Sequence, residues 1–277
     1  MKNKISLILV IVLLSSLMVA CGKNEANVGN EQTNVESYSL EGIKNKGKLV
    51  MGTSADYPPF EFHKMIDGKD EIVGFDIEIG KYIAKELGVE LEIKDMEFDK
   101  LLGGLSTGML DIVIAAVNPD PERAKEVNFS DIYYESTHSV LINRKDEGNI
   151  FSLEDLNGKT IGVQIGTTQE KIAETKIEGA EVVALSSNSD IIMNLKTDKI
   201  DCAIMETGVA KAFAQTNNDL LVVDELIIDS GSEGVAIAIK KGNDELTEKI
   251  NEILAKAKSE GLIEKWVIEA NELNELD

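Results

Sequence analysis

The sequence is short of several residue types, and each shortage removes a class of function. It has two cysteines and two histidines in 277 residues. That is too few for a disulfide framework or for a Cys/His metal cluster. Neither histidine has a Ser or Cys partner at a suggestive spacing, so nucleophilic catalysis finds no support. Positive charge is scarce as well. Against 50 acidic side chains stand 28 basic ones, a formal net charge of −22, which repels nucleic acid and anionic membrane surfaces alike. Aromatics make up 5% of the chain, so the few that fall in loops stand out. No repeat at a solenoid period is present.

Long apolar runs are also missing, with an exception at the start. "MKNK" is followed by "ISLILVIVLLSSLMVA" and then Cys21. The apolar stretch is short of the roughly 20 residues that span a bilayer. Basic start, apolar core, small residue and cleavage point together make an export signal over residues 1–20. "M-V-A-C-G" resembles the lipobox of bacterial lipoproteins, with Met18 where Leu is usual; the alternative is a plain secretory signal with an accidental Cys21. Cleavage before Cys21 would remove Lys2 and Lys4 and leave −22 − 2 = −24. Residues 21–39 are polar and read as a flexible tether. Cys202, in the apolar "KIDCAIM", reads as a small buried hydrophobe.

The remainder alternates strand and helix. "KLVMGTS", "VELEIKDM", "LDIVIAAV", "TIGVQ", "EVVAL", "DCAIME", "LLVVD" and "GVAIAIK" are expected strands. Between them "IVGFDIEIGKYIAKELG" carries an apolar helical stripe, with Asp76 as its cap and Gly88 as its stop. "NPDPERAKEV" is expected to open another helix and "NDELTEKINEILAKAKSEG" to form a long one capped by Asn243. Such alternation implies α/β architecture with mainly parallel sheets. Two sets in one chain of this length imply two lobes. In "ADYPPFEF", Pro58 and Pro59 should take the chain out of its strand and hold Tyr57 and Phe60 rigidly over a cleft at the strand's carboxyl end.

Three segments carry candidate chemistry. Arg123, one of two arginines, falls in the first turn of the helix that Asp120 and Pro121 begin. Helix dipoles oppose a cation there unless an anion shares the site, and a carboxylate held by N–H groups and a guanidinium would qualify. A surface pairing with Glu122 or Glu126 reads equally well. Glu206 ends "DCAIME" and faces either a cleft or plain solvent. "GTTQE", Gly166 to Glu170, offers hydroxyls and free N–H groups without the lysine of a P-loop.

Taken together, "GTSADYPPFEF", "GFDIEIGKYIAKELG", "DIVIAAVNPDPERAKEVNFSDIYY", "DLNGKTIGVQIGTTQE", "DCAIME" and "GVAIAIKKGNDEL" resemble, in this order, the substrate-binding proteins of polar amino-acid ABC importers, bacterial extracellular solute-binding protein family 3. The likeness covers about residues 40 to 267. It implies a bilobed periplasmic-binding-protein-like type II fold that closes around one amino acid. Lobe 1 is then 40–134 with 232–277 and lobe 2 is 135–231, with crossings near Tyr133–Thr137 and Ser230–Gly234. Arg123 matches the grip on the ligand α-carboxylate, completed by Ala115, Ala116, Asn118 and Thr168. The family more often has Gly then Ser or Thr in the Ala116–Asn118 loop. Glu206 matches the α-ammonium partner, and Tyr57 and Phe98 the aromatics around the ligand side chain. Ser54, Gln164, Gln169 and Met205 match pocket positions.

That pocket contains no basic side chain, which disfavours acidic ligands. With no acid at Ser54, glutamine or another uncharged polar amino acid is expected first, arginine or lysine second. The expected partners are the free amino acid, ABC permease subunits and the membrane through a lipid on Cys21, the protein being a monomer on the outer face of a Gram-positive cytoplasmic membrane. No cofactor is called for. A dehydratase-like enzyme on the same fold, a sensor and a surface adhesin are the other readings.

Overall fold

The computed structural model describes residues 38–229 and 231–275. The expected export signal, Cys21 and Ser230 lie outside them. Along the chain come α1 (Leu40–Lys46), β1 (Lys48–Thr53), β2 (Asp56–Tyr57), β3 (Glu61–Ile66), β4 (Lys69–Val73), α2 (Phe75–Leu87), β5 (Glu90–Asp95), α3 (Phe98–Thr107), β6 (Ile112–Val113), α4 (Arg123–Glu126), β7 (Val127–Phe129) and β8 (Tyr134–Glu135). They continue with β9 (His138–Asn143), β10 (Thr160–Gln164), α5 (Thr168–Lys176), β11 (Glu181–Leu185), α6 (Asn188–Lys196), β12 (Cys202–Glu206), α7 (Thr207–Thr216), β13 (Leu220–Ile228), β14 (Gly234–Val235), β15 (Ala238–Lys240), α8 (Asp244–Ser259) and α9 (Leu262–Glu275).

Two five-stranded sheets organise these elements, ordered β5-β1-β6-β15-β7 and β11-β10-β12-β9-β13. In each sheet four strands run one way and one is reversed: β15 in the first, β9 in the second. Each reversed strand is the one that arrives directly from the other half. The expectation of mainly parallel sheets therefore holds for the βαβ parts and fails at the two strands that connect halves. Between the sheets, β8 and β14 pair antiparallel, Tyr134 opposite Val235 and Glu135 opposite Gly234. The chain thus passes between the halves twice, side by side.

Several local expectations change. "LDIVIAAV" keeps only Ile112–Val113 as strand, and "GVAIAIK" splits into β14 and β15. Asp76 does not cap α2; Gly74 occupies the cap position at φ 127, and Asp76 is buried. Asn243 makes no side-chain cap and instead donates to the Tyr38 carbonyl at 2.6 Å. The helix after "NPDPER" is only four residues long. The prolines do not keep the chain out of a strand: β3 begins at Glu61, pairs with β2, and forms a three-stranded sheet with β4. Asp67 and Gly68, both at positive φ, make the tight turn between β3 and β4.

The C-terminal helix α9 belongs to neither half alone, although the sequence places 232–277 with the first lobe. It packs on α2 and also on α7 of the second half, where the Asn274 amide donates to the Ala212 carbonyl at 3.2 Å. Among the described residues no helix is long and apolar enough to cross a membrane. Cys202 is buried on β12, and burial pushes its thiol up to about 12.

Candidate functional site

The carboxyl ends of β1, β6, β10 and β12 point at one another across the line where the halves meet. Ten of the twelve expected site residues line the same cleft there: Ser54, Tyr57, Phe98, Ala115, Ala116, Asn118, Arg123, Gln164, Thr168 and Gln169. Two further residues line it: Thr167 of the "GTTQE" loop, and Glu61, which was not expected. The cleft is narrow, with about 10 Å³ for the centre of a water-sized sphere, room for about one water molecule.

Arg123 is seated by the turn that precedes it. The Asp120 carboxylate accepts from the N–H groups of Glu122 and Arg123 at 2.8 and 3.2 Å, so an Asx turn rather than a long helix fixes the position. The guanidinium donates to the Asn118 carbonyl at 2.7 Å and, across the cleft, to the Gly166 carbonyl at 2.7 Å. It lies 5.7 Å from the centre of the Phe98 ring. Burial lowers its pKa and Asp120 opposes that; the group stays a cation at any working pH. The surface pairing with Glu122 or Glu126 is not formed: Glu122 pairs with Lys125 instead. Ala116 sits at φ 47, a region that suits Gly better than Ala. Ala holds that backbone at some strain.

Facing Arg123 from the second half is the first turn of α5. The Thr167 hydroxyl accepts from the Glu170 N–H at 3.2 Å and donates to the Gln164 carbonyl at 2.6 Å. The Thr168 hydroxyl is buried and has no partner. Free donors at a helix start beside a guanidinium make a receptor for a carboxylate.

Tyr57 links the halves on the other side. Its hydroxyl accepts from the Glu206 N–H at 3.1 Å and from the Gln169 amide at 3.3 Å. Asp56 accepts from the Asn188 N–H at 2.6 Å and the Asn188 amide at 3.0 Å, so it caps a helix of the opposite half. The Asn118 amide donates to Glu206 at 3.2 Å and to the Gly234 carbonyl at 3.1 Å.

Met205 and Glu206 do not line the cleft. Met205 packs into the apolar core. Glu206 is 1% exposed, which removes the solvent-facing reading. It lies behind Asn118, with one oxygen partnerless and His138 at 3.8 Å. Burial pushes its carboxyl up to about 7 against the pull of Ser136 and Asn118. His138, directly opposite on β9, is pushed down to about 4 by burial, so it is neutral at pH 7 and offers Glu206 no counter-charge.

Glu61 is the residue the sequence reading passed over. It opens β3 opposite Tyr57, is 1% exposed, and has an oxygen without a partner. Burial is the main cause that lifts its carboxyl well above the usual range, and Asp76 beside it adds to that. Its signal was present in "YPPFEF": once β2 and β3 are seen as a hairpin, the acid after Phe60 must stand across from Tyr57.

Residues 49–269 match the family model described as bacterial extracellular solute-binding proteins, family 3. The chain is 39% identical over 264 residues to the arginine-binding extracellular protein ArtP of Bacillus subtilis, with 94% of each chain covered. It is 31% identical to the ABC transporter glutamine-binding protein GlnH of the same organism, over 97% of this chain and 98% of that one. Among solved structures, the amino acid ABC transporter substrate-binding protein AbpA of Streptococcus pneumoniae, bound to L-arginine, superposes with a TM-score of 0.83. It is 37% identical, and the match covers 86% of this chain and 100% of that one.

Proposed function

The chain belongs to family 3 of the bacterial extracellular solute-binding proteins, and from this we propose that it captures a cationic amino acid, arginine first, between its two halves and hands it to an ABC importer. The observation that carries the choice of ligand is Glu61: a buried carboxylate with an unpartnered oxygen, inside the cleft. A polar sequence-derived pocket without an acid favours glutamine. An acid in that pocket reverses the order, because a buried carboxylate is stabilised most by an opposite charge. The similarity to arginine-binding relatives supports the same order.

In this reading Arg123, Thr168 and the strand-end backbone of Ala115, Ala116 and Asn118 take the α-carboxylate. Glu206 takes the α-ammonium once the ligand displaces the Asn118 amide. Tyr57 and Phe98 flank the aliphatic stem, and Ser54, Gln164 and Gln169 offer polar contacts to the side chain, with Met205 supporting from behind. The halves are the lobes 40–134 with 232–277 and 135–231, with α9 of the first also resting on α7 of the second, and they must part to admit a ligand, since the cleft between them holds about one water. Ligand contacts that span both lobes then favour closure by differential affinity. Competition by all twenty amino acids against bound arginine tests the assignment. Arginine or lysine should win; glutamine as the tightest binder would return the pocket to the uncharged reading, and glutamate or leucine would remove the site model altogether.

The relatives are transport binding proteins, and a dehydratase-like role is not favoured: a Glu206 shielded behind Asn118 suits an ammonium partner better than an acid or base. The expected lipid on Cys21 fits the same role, because it would hold a monomeric binding protein beside its permease on the outer face of the membrane. Fractionation of Cys21→Ala cells tests this. The variant should leave the membrane fraction, and retention equal to wild type contradicts the lipid anchor.

A further inference from the structure

We propose that Glu61 and Asp76 hold a single proton between them, and that the cationic end of the ligand expels this proton as it binds. The inference rests on the cationic-ligand reading above and adds its chemistry. Glu61 opens β3 and Asp76 is the second residue of α2, and the backbone forces them together. The Phe75 N–H donates to the Pro59 carbonyl at 3.2 Å and the Asp76 N–H to the Phe60 carbonyl at 3.0 Å. Both carboxyls are shut off from solvent, at 1% and 0% exposure. One oxygen of Asp76 accepts from the Ala116 N–H at 3.0 Å and the Tyr133 hydroxyl at 2.8 Å. Its other oxygen has no partner, and neither does one oxygen of Glu61.

Two adjacent buried carboxylates cannot both ionise cheaply. Two orphan acceptors on residues that these backbone bonds hold together are satisfied by one shared proton, and by little else the site contains. The groups facing the pair do not relieve it. Asp56 on β2 and Asp95 at the end of β5 add negative charge, as does Glu206 on β12 when ionised; Tyr57 opposite Glu61 and Tyr133 are neutral, and Arg123 is held by two carbonyls and by Asp120. In keeping with this, burial pushes Asp76 up to about 6 and Glu61 well above its usual range.

Glu61 faces the cleft and Asp76 stands behind it, so a guanidinium or ammonium that reaches Glu61 supplies the charge the proton had supplied. The proton passes to solvent; nothing else is exchanged. An uncharged side chain gives the pair no reason to release it. The site thereby discriminates by charge as well as by shape. The sign follows from linkage: below the raised pKa of the pair the proton must be driven off, so arginine affinity falls as pH falls, and it levels once the pair is ionised in the free protein.

The experiment is titration calorimetry of the wild-type protein with L-arginine and with L-citrulline, its uncharged isostere, each to saturation. Buffers of different ionisation enthalpy at about pH 6.5 read the protons released. Glu206, raised to about 7, loses its proton to solvent when the α-ammonium of either ligand pairs with it, so the difference between the two isolates the side-chain site. Arginine should release about one proton more than citrulline, and Glu61→Gln should abolish the difference. Equal release by both ligands overturns the shared proton while leaving arginine binding intact. A difference that survives in Glu61→Gln overturns it too. Absence of any arginine heat, with glutamine binding, instead sinks the cationic reading and this inference with it.

Discussion

Arg123→Ala should weaken amino-acid binding by about 2–5 kcal/mol, roughly thirty- to several-thousand-fold, with the fold intact. The guanidinium is the cation placed at the first turn of α5, where Thr168 holds a hydroxyl with no other partner. Without Arg123 the ligand carboxylate keeps only neutral donors inside a cleft nearly closed to water. A charge left unpaired there accounts for most of the loss. The protein itself gives up little. The two carbonyls that Arg123 satisfies, on Asn118 and Gly166, lie at a side chain 13% exposed, and water entering the space left by the deletion can reach them. Glu206→Gln should lose affinity in the same range for the opposite reason, since it keeps the shape and the Asn118 contact but removes the charge opposite the α-ammonium. Calorimetry, with circular dichroism melts to certify the fold, gives the answer. A dissociation constant near wild type in either folded variant removes that residue from the clamp.

The two variants also mark what the sequence made legible. Arg123 could be singled out because charge of its sign is rare and its position, a cation at a helix start, is locally unfavourable, but a surface pairing explained it equally well until the structure placed it in the cleft. Glu206 could be placed at a strand's end, but not behind Asn118, because a separation of 88 positions leaves no local pattern. Strands such as β1, β10 and β12 were visible as apolar runs ended by turn signals. β6 and β15 were not visible at their true lengths, since a buried run reads as strand whether or not each residue finds a ladder partner. The hairpin of β3 and β4 was missed although Asp67-Gly68 is a strong turn signal. The two prolines outweighed it, and with β3 unseen its pairing to β2, which sets Glu61 opposite Tyr57, was missed as well. A charged residue in a chain with 50 acids carries no signal until its burial is known. The reversed strands β9 and β15 were beyond reach for another reason: which half a strand joins is decided by long-range packing, not by its own composition.

Gly74→Ala should destabilise the protein by about 3 kcal/mol or more, and it should damage the site as well. Gly74 connects β4 to α2 at φ 127, where side-chain-bearing residues pay strain of roughly 1–3 kcal/mol. Sterics add to this. A Cβ there would stand 2.1 Å from the Phe60 carbonyl oxygen, 2.6 Å from its carbon and 2.9 Å from the Glu61 Cα. All three are backbone atoms, so no flexible side chain can swing aside. The turn must open, and what it holds is the pair of bonds from Phe75 and Asp76 to the Pro59 and Phe60 carbonyls, which set Glu61 beside Asp76. At about 2–4 °C per kcal/mol for a domain of this size, the melting temperature should fall by roughly 6–12 °C, and arginine affinity should fall with it. Gly103→Ala supplies the contrast. Gly103 lies inside α3 with nothing within 4 Å of the added carbon, so alanine there should stabilise by about 0.5–1 kcal/mol through helix propensity. Thermal melts of the two variants beside wild type decide the matter, and a Gly74→Ala protein that melts with the wild type would show that the close approach of this turn to Phe60 does not constrain the fold.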